Sequence, residues 1–306
     1  MVLSRNKFPE IMKKLTVFTL LVLVIVSCQT KPNEELAEIK QTQEFDETTK
    51  VLTERFASMY ETIPSSELAA YLESVDADYN GSFINDPGMA SEYLISPEQS
   101  ALALGVYFMD INYTAAYGKR DQTSALYDAM QMLADSIGMA RVLNQAILEQ
   151  FNKELEENQA AKTLVRDALI EGTKHLNTTN RPRLSTLIMA GIVIERLHLI
   201  SSIIDQSVES ENLYKQDLDL MITPLMRAAA QQADNVNKMI EAINLIRTPD
   251  DEAEGFALLY ELQHEYSRLE EKKGEIDPTL SVDPTVFSGI FAVVKDLRQR
   301  IVTPGN

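Results

Sequence analysis

The chain predicts an all-α fold, a multi-helix bundle of about eight to ten helices, and three observations lead there. Glycine is scarce, 11 of 306 residues, while long tracts rich in Ala, Leu, Glu and Gln dominate. No stretch alternates apolar and polar residues between turn signals as a half-buried strand would. Two segments, 101–113 (ALALGVYFMDINY) and 184–204 (LSTLIMAGIVIERLHLISSII), are apolar on nearly every side. A helix of that kind needs other helices around it. The hydrophobic content of 45% is enough for a real core.

Residues 28–44 are polar and acidic and read as a flexible tether, with the helical domain at 45–306. Phe45 to Tyr60 is a first helix, with Val51, Leu52, Phe56 and Met59 on one face. Pro64 ends the approach to the next element, and Ser65 caps a short helix through Leu72. Residues 78–96 carry the turn signals Asn80-Gly81 and Asp86-Pro87-Gly88. This is the longest irregular stretch, the kind of loop that often carries function.

Ser96-Pro97-Glu98-Gln99 is a helix start, with Ser as N-cap, Pro at the first helical position and Gln at the third. That helix runs to Tyr117, and Gly118 closes it. Gly105 in its middle costs about 1 kcal/mol against Ala, which a close approach of another helix would offset. Asp121 is expected to cap a second helix, on which Leu126, Met130, Leu133 and Ile137 share a face before Gly138 ends it. The two form an antiparallel hairpin. Residues 140–157 and 160–175 give two amphipathic helices, His175 complements the C-terminal dipole of the second, and 177–183 is a loop.

Segment 184–204 is long enough to cross a membrane. Glu195, Arg196 and His198 near its middle would be expensive in lipid, so it reads as a buried bundle helix. Further helices are expected at 213–222, 225–246, 256–271 and 286–302. Thr223-Pro224 is a kink or a restart, and fresh starts are expected at Thr248-Pro249, Asp277-Pro278 and Asp283-Pro284. The two apolar helices lie roughly 85 residues apart, a spacing compatible with two pseudo-symmetric halves.

The N-terminus carries a different signal. Arg5, Lys7, Lys13 and Lys14 precede an apolar run from Leu15 to Val26, 12 residues long. That is the length of a secretory h-region and too short for a spanning helix. Met12-Lys13-Lys14 reads as a natural start of such a signal. Its end, Ile25-Val26-Ser27-Cys28, resembles the lipobox of bacterial lipoproteins. The resemblance implies cleavage before Cys28 and acylation of that residue, and two or more acyl chains give stable anchoring. Gln29 after the anchor implies, by the same resemblance, the outer membrane, and Lys31 to Glu35 loosely resembles the export tag of Bacteroidota surface lipoproteins. The domain would then face the periplasm or the cell exterior. Cys28 is the sole cysteine, so a disulfide within the chain is excluded.

Removal of residues 1–27 takes away four basic residues and one acidic one. The mature chain then has 24 basic against 45 acidic residues, a net charge of −21 over 279 residues. Such a surface repels phosphate backbones, so nucleic acid is not an expected partner. It also repels anionic lipid, so acyl chains on Cys28 rather than charge would hold the membrane. An envelope protein partner is the remaining expectation.

The segments Ile63-Pro64-Ser65, ALALGVYFMDINYTAAYGKRDQTSALYDAMQMLADSIGM and STLIMAGIVIERL resemble a group of uncharacterised helical lipoproteins of Bacteroidota. Leu104-Gly105-Val106-Tyr107 with Asp110 and Tyr113, and Ala190-Gly191 with Glu195, carry the resemblance. It implies the compartment and the helical fold and adds no catalytic role.

Two constellations could carry chemistry. Glu195/His198 and Glu261/His264 are Glu-x-x-His pairs, each on one helix face. With two lone carboxylates, Asp110 and either Glu241 or Asp234, they would provide the donor set of a dinuclear metal site in a helical bundle. The chain order is unlike such sites, because several helices separate Asp110 from Glu195. The second constellation is Tyr107, Asp110, Tyr113, Glu195 and Arg196. Buried charges are normally paired, so a structural Asp110–Arg196 or Glu195–Arg196 bridge is the first expectation. A polar pocket for a cationic or hydroxylated ligand is the second. No nucleophile motif or phosphate-cradling glycine loop is present, and the sequence calls for no cofactor. The reading is a binding or scaffolding domain, with the metalloenzyme and a tetratricopeptide-like interaction module as alternatives.

Overall fold

The computed structural model describes residues 32–61, 77–143, 145–156, 161–209, 215–247, 257–271 and 284–303. The described residues form nine α-helices: α1 (Pro32–Glu61), α2 (Pro97–Ala116), α3 (Arg120–Ser136), α4 (Gln145–Glu156), α5 (Ala161–Thr178), α6 (Pro182–Glu209), α7 (Lys215–Ile246), α8 (Ala257–Glu271) and α9 (Ser288–Val302). Three 3-10 turns, Gly81–Phe83, Pro87–Tyr93 and Pro284–Phe287, complete the described elements, and no strand occurs among them. The all-α bundle expected from the sequence is thus the observed architecture. The chain divides into two units, residues 1–50 and 51–306. In the first, residues 32–50 are helical, so the chain is already helical within the stretch read as a flexible tether. Glu-Glu-Leu-Ala-Glu-Ile-Lys is made of strong helix formers.

In the second unit α2 and α6 pack on each other more extensively than any other pair. Three helices lie between them in sequence. A tetratricopeptide solenoid stacks each repeat on its sequence neighbours, so this packing is of another kind. Around the central pair, α3 packs on α2, α7 and α9 pack on α6, and α5 touches both. α6 is the one described helix long and apolar enough to cross a membrane; 83% of its most apolar window is buried inside the protein.

The reason for the close pairing is a pair of glycines. A Cβ on Gly105 would stand 2.1 Å from the Ile188 carbonyl oxygen, and one on Gly191 would stand 2.1 Å from that of Leu102. Backbone meets backbone there, and the Cα hydrogens point at carbonyl oxygens in the manner of weak Cα–H···O contacts. The cost of a mid-helix glycine is offset by this approach.

Local signals place the ends. The Ser96 hydroxyl accepts the Gln99 amide at 3.1 Å, with Pro97 at the first helical position. Gly118 and Gly138 take positive φ values of 64° and 77° where α2 and α3 end. Asp121 does not cap α3: the N-cap residue is Lys119, no side chain bonds the first amides, and Asp121 lies in the first turn as an acid, where it suits the helix dipole. The loop expected at 177–183 shrinks to 179–181, with Asn180 at φ 60°. From this turn the Arg181 Nη1 donates to the Ile137 carbonyl at 2.8 Å and satisfies the end of α3. α7 runs through Pro224 without a restart. The expected short helix at 65–72 and the starts at Thr248 and Asp277 lie outside the described residues.

Candidate functional site

α2 carries a stripe of polar side chains at positions 107, 110, 113 and 117, spacings that keep them on one side of a helix. Residues 77–95, which hold two of the 3-10 turns, run along this stripe as a strap in the opposite direction. Tyr117 donates its hydroxyl to the Ala77 carbonyl at 2.8 Å. The Tyr113 hydroxyl accepts the Asn80 amide at 3.1 Å. Asp110 Oδ2 accepts the Asn85 amide at 3.0 Å, and Tyr107 donates to the Asp86 carbonyl at 2.8 Å. Four side chains in sequence order thus meet four backbone atoms in reverse order. The rings of Tyr79, Tyr113 and Tyr117 pack at centroid distances of 5.1–5.5 Å at one end. At the other end Tyr93 packs on Tyr107 and donates to the Val302 carbonyl at 3.3 Å.

The turn signals read in the strap do their local work. Asn80 Oδ1 accepts the Ser82 amide at 3.0 Å, and Asp86 Oδ1 accepts that of Gly88 at 2.8 Å. Each short side chain starts its 3-10 turn by bonding the backbone two residues on.

Beneath the strap lies the charge cluster. Asp110 and Glu195 are both fully buried. The partner of Glu195 is Arg298 of α9, whose Nε lies 2.8 and 3.1 Å from the two carboxylate oxygens. Arg298 Nη2 reaches onward to the strap, to the Phe83 carbonyl at 3.2 Å and Asn85 Oδ1 at 3.1 Å. His198, one turn from Glu195, places Nε2 3.2 Å from the same Phe83 carbonyl, and the Ser202 hydroxyl stands 3.5 Å from its Nδ1. This network fits a neutral imidazole protonated at Nε2. Two buried polar atoms in the cluster have no partner: Asp110 Oδ1 and Asn85 Nδ2.

The electrostatics follow from burial. Asp110 is raised well above the ordinary carboxylate range, first by desolvation and then by the charge of Glu195; the Asn85 amide and Arg298 pull the other way without prevailing. Burial lowers His198, against the opposing charge of Glu195. Burial would lower Arg298 too, but Glu195 overrides it and the guanidinium stays charged. Tyr93, Tyr107 and Tyr113 are pushed up by burial and remain neutral phenols.

Of the five residues read as a polar pocket, four gather here: Tyr107, Asp110, Tyr113 and Glu195. What fills the space beside them is the chain's own strap. Arg196 does not join them. Successive residues on a helix point about 100° apart, and Arg196, also buried, acts electrostatically on Tyr266 of α8. Both expected bridges, Asp110–Arg196 and Glu195–Arg196, therefore give way to Glu195–Arg298. Sequence reasoning missed Arg298, yet a signal existed: it interrupts the buried stripe Ile290, Val294, Leu297 and Ile301 at helical spacing.

The two Glu-x-x-His pairs do not combine. Glu195 is held by Arg298 in the core, whereas Glu261 and His264 lie exposed on α8. The lone carboxylates are engaged elsewhere: Glu241 with Arg55 at 2.9 Å and Asp234 with Lys238 at 2.8 Å. Among the described residues no group of three or more His, Cys, Asp or Glu side chains is arranged to hold a metal ion. Cys28 lies outside the described residues. Compared with known protein families, curated proteins and solved structures, the chain matches none.

Proposed function

We propose that this chain is an envelope lipoprotein, anchored in the outer membrane through acyl chains on Cys28, whose helical domain is a binding or scaffolding module for an envelope protein. The observation that carries the domain's role is the use made of its core polar groups. Tyr107, Asp110, Tyr113, Glu195 and Arg298 spend their hydrogen bonds and charge on the chain's own strap and on one another. Recognition then falls to the outer surface. There the strap turns Met89, Leu94 and Ile95 outward, Ile95 at 69% exposure, and large exposed apolar side chains close together in sequence suit a protein contact. The acidic surface supports a partner other than nucleic acid.

The test has two arms. The full chain is expressed in a double-membrane bacterium fed an alkyne fatty acid, beside the Cys28→Ser variant. The expected result is label and membrane association in the first and neither in the second; an unlabelled, unanchored wild-type chain would overturn the anchor. For the domain, a photo-crosslinking amino acid at Ile95 in the anchored protein should give one discrete protein adduct, lost on Leu94→Asp substitution. Adducts spread evenly over many proteins would overturn a specific contact at the strap.

A further inference from the structure

Two carboxyl groups and one guanidinium share the buried cluster, and their geometry leaves two atoms unpaired, Asp110 Oδ1 and the Asn85 Nδ2 donor, which do not bond each other. Both oxygens of Glu195 face Arg298 Nε. Asp110 Oδ2 has the Asn85 amide, but Asp110 Oδ1 finds no donor although the residue is fully buried. Glu195 acts electrostatically on Asp110, and the two carboxyl groups are joined through Asn85 and Arg298: the Asn85 amide bonds Asp110 Oδ2, Arg298 Nη2 bonds Asn85 Oδ1, and Arg298 Nε bonds Glu195. A bare, buried carboxylate oxygen in a cluster that holds a second carboxylate is strongly unfavourable, since like charges in one site cannot both ionise cheaply.

We propose that Asp110 and Glu195 hold a single proton between them, with Asp110 the donor through Oδ1, and that this proton latches the strap to α2. The carboxylic acid gives Oδ1 its missing partner. Arg298 then balances one negative charge instead of two, and its Nη2 remains available to Phe83 and Asn85 of the strap. The titratable and charged groups that face the pair are Arg298 from α9, His198 from α6, Tyr107 from α2, and Tyr79 and Tyr93 from the strap; the Asp86 carboxylate, exposed, turns to the Gly88 amide. His198 and the tyrosines are neutral at pH 7, so they do not replace the proton.

The sign is fixed by linkage. Lifting the strap wets Asp110, which then ionises as an ordinary aspartate near pH 4. From there up to its raised buried value, opening releases one proton. This proton's share of the opening equilibrium therefore grows about tenfold per pH unit in that window, while His198, released from the Phe83 carbonyl by the same opening, takes up a proton below about pH 6.5 and opposes it there. The proton's own contribution to closure is strongest at low pH and weakens as pH rises.

Hydrogen exchange at the Asn85 amide of the full-length protein reads this directly, once corrected for the intrinsic pH dependence of exchange. As pH rises from about 5, the wild-type protection factor should fall about tenfold per unit relative to that of Asp110→Asn, which mimics the protonated acid and keeps His198. Equal slopes in the two proteins would overturn the proposal. A second measurement stands should Asp110→Asn fail to fold. In the wild-type protein labelled with ¹³C at aspartate carboxyls, one resonance, that of Asp110, should stay in the protonated position at about pH 5, where an ordinary aspartate is ionised. Ordinary titration of every aspartate would overturn the shared proton.

Discussion

Arg298 is the residue on which the cluster turns, and its removal can be priced from its contacts. Arg298→Met keeps most of the side-chain volume and deletes the guanidinium. Glu195, fully buried, is then left without its counter-charge. Breaking a buried pair from one side costs about 3–5 kcal/mol. The strap loses two further bonds, at Phe83 and Asn85. The Phe83 carbonyl keeps His198, while Asn85 Oδ1 loses the donor that Arg298 supplies. The sum is about 4–5 kcal/mol, a large share of the stability of any domain. Urea unfolding followed by circular dichroism is the assay. With a slope of about 2–3 kcal/mol per molar, the midpoint should fall by roughly 1.3–2.5 M. The decisive partner is Glu195→Gln/Arg298→Met, in which neither charge is buried. It should recover about 2 kcal/mol or more relative to Arg298→Met alone. A double variant as unstable as the sum of the two single ones would refute the reasoning, because it would mean that the ion pair is not the source of the cost.

Further outcomes are expected elsewhere. Gly105→Ala gains about 1 kcal/mol of helix propensity but forces a methyl to 2.1 Å from the Ile188 oxygen; a net loss of about 2–3 kcal/mol in thermal or urea unfolding is expected, and Gly191→Ala added to it should cost much less than alone, since the helices have already parted. Tyr107→Phe deletes the bond to the Asp86 carbonyl and should destabilise by about 1 kcal/mol, with faster exchange confined to the strap. Ser96→Ala removes the cap of α2 and should cost about 1 kcal/mol. His198 is lowered by burial, so its contribution is present above the unfolded value of about 6.5 and is lost as pH falls through the folded one. Wild type should therefore lose more stability than His198→Gln between pH 7 and pH 5, and an equal loss in the two would contradict the buried neutral imidazole.

Much of the cluster was legible in the sequence. Asp110 and Glu195 stand out because charges interrupt helices that are otherwise apolar, and the tyrosines at 107 and 113 share a face with Asp110. Their partners were not legible from proximity. Arg196 is adjacent to Glu195 in the chain and therefore points elsewhere, while Arg298 lies 103 residues away. The strap shows the other limit. Its turns have sequence signatures, Asn80-Gly81 and Asp86-Pro87-Gly88, and both appear. Its course along α2 is set by bonds to Ala77, Asn80, Asn85 and Asp86 through main-chain atoms, which every residue carries alike. The approach of α2 to α6 lies between these cases: Gly105 announced a contact, and only the structure showed that Gly191 faces it.

The way the strap is gripped has a consequence for how this protein can change. Because α2 holds carbonyls and amides of the strap, the grip is indifferent to the side chains that point away from it. Met89, Glu92, Leu94 and Ile95 are all exposed, and replacing them leaves every bond from Tyr107, Asp110, Tyr113 and Tyr117 in place. The strap is thus a fixed ledge with an interchangeable outer edge, on which a lineage could rewrite what the domain meets without disturbing the bundle behind it.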